Sequence, residues 1–476
     1  MADGGEILMQ APGPAGNPLL SGPILPVLLR FALPNMGAML AGSVAAVAET
    51  AYVGALGVPA LAGMALVFPL VMLQMMLSAG AMGGGVSGAI ARALGAGDTD
   101  KANILAVHTM WIGIIIGGCT TVLMLTLAPT LLAAIGGRGE ALQQAAAFAS
   151  VAFAGSIGVW LVNLFASVLR GAGNMGVPSV TLLVMAMAQV AIGGVLGLGL
   201  GPIPRLGMPG VAAGQVVAAS LGALFLYFYL RSGRARVRLV SVPLEWRYFA
   251  DILRVGGTAC ISPLQVVATI VILNGLVAKF GPTALAGFGI GVRLEFLLTP
   301  ISFAIGVASV PLVGTAIGAG MVARARRVAW IAAGVASGGL ATIGVVLAIF
   351  PGLWATMFTS DPATLATTSQ YFRWVGPAYG FFGAGICLYF SSMPAGRVGG
   401  MVLAGTLRLA VVAIGGWWLV STDAPLWTIF ALIGTALVAY GLASVTAMVR
   451  TSWGEEAGGE EAGESTPGPA RSISTG

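Results

Sequence analysis

The chain has 476 residues, of which 58% are hydrophobic and only 8% charged, against roughly 25% charged in an ordinary soluble domain. So few charges cannot cover a soluble protein of this length, and membrane is the solvent the composition demands. The net charge of +6 comes from basic residues that punctuate apolar stretches and form no aromatic-interleaved stripe, which excludes a nucleic-acid partner.

Residues 1–23 are rich in Gly and Pro and lack a basic segment followed by an apolar core. They read as a disordered tail and not as a cleaved signal peptide. A helical membrane span needs about 20 mainly apolar residues. Six such spans are predicted near 25–53, 60–91, 104–135, 141–169, 178–200 and 208–230, forming a lobe over 24–230. A basic linker, 231–248, follows. A second lobe over 249–450 holds six more, near 249–278, 284–317, 328–358, 363–393, 401–421 and 425–449. The acidic, Gly-rich segment 451–476 is expected to be disordered.

Basic residues set the expected orientation. With both termini cytoplasmic, inner loops hold Arg92, Lys101, Arg170, the Arg231–Arg247 group, Arg324, Arg326, Arg327 and Arg397. Outer loops hold only Arg138, Arg205 and Lys279. This is the positive-inside pattern of a multi-pass protein of a cell inner (plasma) membrane, and the even span count agrees with it.

The two halves repeat one another. Leu56-Gly57-Val58-Pro59-Ala60-Leu61-Ala62-Gly63 recurs as Phe280-Gly281-Pro282-Thr283-Ala284-Leu285-Ala286-Gly287, and Ala93-Leu94-Gly95-Ala96-Gly97 as Ala316-Ile317-Gly318-Ala319-Gly320. Six helices per half put both halves the same way up. The expected architecture is therefore an all-α membrane protein of twelve transmembrane helices in two six-helix lobes, related by a pseudo-twofold axis along the membrane normal. Two lobes rocking about a central site form an alternating-access machine.

Of the 16 carboxylates, Glu49 and Glu295 fall well inside spans. A charge at the bilayer centre costs at least about 2.5–3.5 kcal/mol on insertion scales, so such residues usually face a cavity and act there. Withdrawal from water also favours the neutral form of a carboxyl, as proton coupling requires. Asn35 lies four turns before Glu49 on nearly the same helix face, and Pro34 beside it removes a backbone hydrogen bond and offers a hinge. The competing reading of Glu49 is a permanently protonated acid bonded to a neighbouring helix. For Glu295, a structural hydrogen bond across helices is as good a reading as a ligand role, and Arg293 is too close in sequence to pair with it on one helix face. Tyr52, Asn163, Gln189, Gln265 and Asn274 are the further polar candidates for coupling or substrate contact. His108 reads first as a packing histidine.

Catalytic and cofactor patterns are lacking. The GxGxxG strings at Gly83–Gly88 and Gly171–Gly176 follow no strand, so neither marks a dinucleotide site. Lys101 and Lys279 lie outside any phosphate-binding loop, and Cys119, Cys260 and Cys387 are isolated from one another. Neither an enzyme nor a nucleotide-driven pump is indicated. A channel has no positive signal.

Glu49-Thr50-Ala51-Tyr52-Val53-Gly54-Ala55-Leu56-Gly57, followed by Ala60-Leu61-Ala62, resembles the first helix and loop of the multidrug and toxic compound extrusion (MATE) family. Gly95–Ala102 resembles that family's helix 2–3 loop, Leu169–Asn174 its helix 4–5 loop, and Leu206–Ala212 the start of its helix 6. The resemblance implies a twelve-helix monomeric antiporter in membrane lipid. It would export organic cations or amphipathic small molecules in exchange for protons or sodium, with no cofactor. It places the family's helix 1 acid on Glu49. Where many relatives carry Asn and Asp in helix 5, this chain has Gln189 and Gly193; the helix 7 polar residues are Gln265 and Asn274. These departures weaken the sodium case. The alternative from the same superfamily is a lipid-linked oligosaccharide flippase, which needs cations in its cavity; Arg408 is the basic residue deep in a span.

Overall fold

The computed structural model describes residues 18–453 other than 203. After a one-turn helix, α1 (Pro18–Ser21), the first span is the continuous helix α2 (Ile24–Gly54). The second runs through α3 (Val58–Met75), a π-helical segment at Met76–Met82, and α4 (Gly83–Gly95). Then come α5 (Thr99–Ala134), α6 (Gly139–Ala154), α7 (Ser156–Gly171), α8 (Gly176–Leu198) and α9 (Met208–Arg231). The second half opens with α10 (Trp246–Ala259) and α11 (Ile261–Ala278), followed by the long α12 (Pro282–Gly318) and α13 (Val322–Ile349). A single turn, α14 (Gly352–Ala355), leads to α15 (Pro362–Val375), a 3-10 turn at Gly376–Ala378 and α16 (Tyr379–Ser392). The last spans are α17 (Gly399–Ser421) and α18 (Leu426–Arg450).

Ten of the described helical stretches are long and apolar enough to cross a membrane alone, and the α6–α7 pair, bent by 51°, adds an eleventh. The α15–α16 pair takes the corresponding place in the second half and completes twelve. The fourth and tenth spans, expected to be unbroken, are therefore each two pieces. Gly155 interrupts one and Gly376-Pro377 the other; proline removes a donor and glycine lowers the cost of a bend.

The repeat is carried by the backbone as well. Gly57 and Gly281 open α3 and α12 with φ of 119° and 91°, and Gly97 and Gly320 follow α4 and α12 at 80° and 73°. These are left-handed conformations that glycine adopts without the Cβ penalty. Equivalent helices also pack equivalently: α2 on α8, α8 on α9 and α7 on α5 in one lobe, α11 on α17, α17 on α18 and α16 on α13 in the other.

The lobes meet at the arginine-rich end. There the repeated Gly-Ala-Gly motifs face each other across the pseudo-twofold axis. A Cβ on Gly95 would lie 2.8 Å from the Thr315 Cα, and one on Gly318 would lie 2.8 Å from the Ala96 nitrogen. Arg92 donates across the seam from Nη1 to the Pro394 carbonyl at 2.5 Å, and Lys101 pairs with Asp251 at 3.5 Å.

The lobes also exchange half-spans. Ile24, Leu28 and Ala32, all before Pro34, sit in the core of the second lobe with residues of α12, α13 and α16, whereas Val53 at the other end of α2 sits in a first-lobe core. Conversely, α10 packs on α4 and α5, with Ile252 fully buried in the first-lobe core. Pro34 marks the point where α2 passes from one lobe to the other.

The connecting segments are better packed than their polarity suggested. The end of the expected N-terminal tail is anchored: Leu19 and Leu20 are buried, and Arg324 donates to the Leu19 and Gly22 carbonyls at 3.2 and 2.6 Å. At the other end Trp453 is 2% exposed, and Arg326 donates to the Thr451 carbonyl. Residues 18–23 and 451–453 are thus ordered where disorder was expected, because each carries apolar side chains that the second lobe buries; 1–17 and 454–476 lie outside the described residues. The 231–248 linker buries Val237 completely and is pinned to α5 through Arg238 N–H to Asn103 Oδ1 at 2.7 Å.

Candidate coupling and substrate site

Glu49 lies five residues before the end of α2 and is 6% exposed. Its carboxylate is held by α8: Gln189 donates from Nε2 to Oε1 at 2.6 Å. A hydrogen bond to a charged group contributes about 1.5–3 kcal/mol, more than a neutral one. Tyr52, one turn further along α2, lies beside the same carboxylate. Its buried hydroxyl makes no hydrogen bond of regular geometry.

Gly193, one turn beyond Gln189, explains part of this arrangement. A Cβ there would come within 2.8 Å of the Tyr52 hydroxyl and 3.3 Å of the Val211 carbonyl on α9. The space that an acidic side chain would need at this position is filled by Tyr52. The first lobe therefore holds this buried acid on α2, bonded to the Gln189 amide and with the Tyr52 ring beside it.

Asn35 is fully buried beside Pro34, and neither its amide nitrogen nor its carbonyl oxygen has a hydrogen-bond partner. It is separated from Glu49 by 14 residues of continuous helix, about 21 Å, so the two do not share one pocket. Asn163, on α7, donates to Ser78 Oγ at 2.9 Å. That bond ties α7 to the π-helical segment and does not reach Glu49.

In the second lobe, Gln265 donates to Thr406 Oγ1 at 2.7 Å, joining α11 to α17 as Glu49 and Gln189 join α2 to α8. Asn274 is exposed and donates back to the Ile270 carbonyl of its own helix at 2.9 Å. His108 is fully buried. Its Nδ1 donates to the Ile104 carbonyl at 2.8 Å, and its Nε2 accepts from the Glu245 N–H at 3.0 Å. Both nitrogens are used, and Phe249 meets the ring edge-on. These contacts fasten the linker to α5.

Glu295 is half-buried on α12 and accepts a hydrogen bond from the Tyr371 hydroxyl on α15. Arg293, two residues away, points elsewhere and stacks over Phe358 at 5.3 Å. Arg408 on α17 is also half-buried and lies within the electrostatic reach of Glu295. Sequence reasoning singled out both charges but not the tyrosines around them. The one signal for these was that an uncompensated charge in a membrane needs polar company.

Known proteins resemble the chain at three levels. The MatE family model matches residues 34–194 and again 259–415, once per lobe. A probable multidrug resistance protein NorM from Thermotoga maritima is 27% identical over 362 residues, 73% of this chain and 75% of that one. An FAD transporter from Shewanella oneidensis is 26% identical over 370 residues, 77% and 81% of the two chains. Among solved structures, a MOP superfamily transporter from Pyrococcus furiosus superposes with a TM-score of 0.82 at 22% identity, covering 91% of this chain and 96% of its own.

Proposed function

The chain belongs to the multidrug and toxic compound extrusion family, and on that premise we propose that it exports organic cations or amphipathic compounds in exchange for protons. It is a multidrug efflux transporter and not an enzyme; the direction of exchange, the ion and the substrate class are our reading. The observation that carries it is the Glu49–Gln189 hydrogen bond, which places a titratable group between α2 and α8 on the helix that belongs to both lobes.

Ionised Glu49 accepts from Gln189 and offers a negative charge to a cationic substrate. A proton arriving from outside cancels that charge and turns one carboxyl oxygen into a donor, so both the attraction for the cation and the Gln189 bond change together. Because α2 crosses between lobes at Pro34, a change of its angle in the first lobe is transmitted to Ile24, Leu28 and Ala32 in the second. Release of the proton towards the cytoplasm restores the charge for the next cation.

Sodium is the weaker coupling ion, since a hard cation prefers several oxygen ligands and Glu49 brings one carboxylate. A lipid-linked oligosaccharide flippase is the weaker activity, since a pyrophosphate head group calls for several cavity cations and Arg408 sits opposite an acid. The test is efflux of a radiolabelled organic cation from proteoliposomes under an imposed pH gradient, with sodium absent. Efflux driven by the pH gradient supports the reading; no efflux there, with efflux in a parallel preparation under a sodium gradient alone, refutes proton coupling.

A further inference from the structure

At the end of the second lobe away from the arginine-rich seam, α12 and the segment between α14 and α15 enclose a cavity of about 460 Å³. Its α12 wall includes Leu285, Ala286 and Ile290, and the facing wall includes Phe358 and Thr359. Trp354 ties the two walls together, donating from Nε1 to the Ile290 carbonyl at 3.0 Å. Among the described residues, Arg293 is the only charged one in the lining.

The Arg293 guanidinium lies over the Phe358 ring, 5.3 Å from its centre. Neither ion pair found among the described residues includes it. Glu295, two residues on, leaves α12 on another face and bonds to Tyr371. Asp361 is turned to α15, its Oδ2 accepting from Thr364. Thr359 Oγ1 accepts from the Asp361 N–H at 3.0 Å, which leaves its hydroxyl proton free to donate. The cavity therefore offers a guanidinium fork and a hydroxyl donor, the chemistry of an anion site.

Its depth narrows the choice of anion. The 37 residues of α12 span about 55 Å, against a hydrocarbon core of about 30 Å, so the helix overshoots by roughly 12 Å at either end. Arg293 follows Pro282 at the start of α12 by about 16 Å along the axis, and its long stem carries the charge into the head-group layer. Trp354 marks the same level, since indoles collect at the membrane interface. Phe296 and Leu297, one turn deeper on the face of Arg293, are exposed. A polar anchor above an apolar track matches a phospholipid.

We propose that this cavity binds the phosphodiester of one anionic phospholipid, in the leaflet away from the arginine-rich end. The Arg293 fork takes two phosphate oxygens, Thr359 donates to the same group, and the acyl chains descend along Phe296 and Leu297. The site makes no use of Glu49, and binding to it needs no ion gradient, so it stands apart from the exchange reading.

The experiment is native mass spectrometry of the full chain in neutral detergent, titrated with dioleoyl phosphatidylglycerol or with dioleoylglycerol. The wild type should bind its first phosphatidylglycerol about tenfold more tightly than Arg293→Gln, the loss of one charged hydrogen-bonded contact. Arg138→Gln, which removes a cation on the same side of the membrane, should leave that affinity within about twofold. Dioleoylglycerol, which lacks the phosphate, should bind wild type and Arg293→Gln alike. Equal affinity of the two proteins for phosphatidylglycerol would overturn the proposal. Displacement of the lipid by equimolar glycerol phosphate would also overturn it, since the ligand would then be a free phosphate. Should Arg293→Gln not fold, Ala286→Trp, which fills the cavity and keeps Arg293, should weaken the first lipid similarly; unchanged binding counts against the site.

Discussion

Glu49 on α2 and Gln189 on α8 are joined at 2.6 Å although 140 residues separate them in the chain. This bond is the most direct handle on coupling. Glu49→Gln should abolish pH-driven efflux in proteoliposomes, by at least about a hundredfold, while the protein still inserts. Gln189→Leu removes a hydrogen bond to a charged acceptor, about 1.5–3 kcal/mol, and should displace the pH dependence of transport without abolishing it. Wild-type rates and pH dependence in Glu49→Gln would make Glu49 structural.

Gly193 and Tyr52 should behave as a coupled pair. Gly193→Asp forces a side chain into space held by the Tyr52 hydroxyl and should destabilise the protein by about 1–3 kcal/mol, as overpacking does. Combining it with Tyr52→Ala should recover a large part of that loss. Thermal melts of the two single variants and the double variant give the interaction energy; simple additivity would show that the two side chains do not compete.

Asn35 has no hydrogen-bond partner in this conformation, a cost of about 1–3 kcal/mol for a buried amide. Asn35→Leu should therefore raise the melting temperature while slowing turnover, by favouring this conformation over others in the cycle. A variant that is both less stable and equally fast would remove the conformational role assigned to this residue.

The orientation of the chain is testable at the linker. Ser232 is exposed just after α9. A cysteine there, in a background without Cys119, Cys260 and Cys387, should react with an impermeant thiol reagent only after cells are permeabilised. Labelling of intact cells would invert the topology.

Asp361 caps α15, accepting from the Thr364 hydroxyl at 2.6 Å and the Thr364 N–H at 2.9 Å. These bonds hold its carboxylate below its ordinary range, the hydroxyl contributing most. A depressed acid stabilises the fold above its unfolded pKa, and that contribution is lost as pH falls through the folded value. Melting temperature should thus decline on acidification below the usual aspartate range more steeply in wild type than in Asp361→Asn. Identical acid limbs would remove the cap from the stability of α15.

The spans and the repeat were legible because membrane burial imposes long apolar runs and duplicated Gly motifs leave local marks. Glu49 stood out for the same reason, since a charge amid apolar residues is costly wherever it lies in the fold. Its partner was not legible as a partner: Gln189 meets Glu49 only because α2 packs on α8, a tertiary fact. The breaks at Gly155 and Gly376 were lost among 72 glycines, most of which do not bend a helix. The company of Glu295 was hidden more deeply, because Tyr371 bonds to it from α15 and Arg408 stands within its electrostatic reach from α17. Nor could the crossing of α2 and α10 be read, since spans apolar on all sides do not announce which neighbour they choose.

That crossing has a consequence for biogenesis. When the ribosome has delivered the first six spans, Ile24, Leu28 and Ala32 still lack their partners on α12 and α13, and α4 and α5 still lack α10. Neither half of the nascent chain can close its own core, so a truncated product keeps unmatched helix faces open to lipid and to quality-control proteases. Maturation completes only when both halves have been threaded into the bilayer, and two separately synthesised halves would have to trade these segments to assemble.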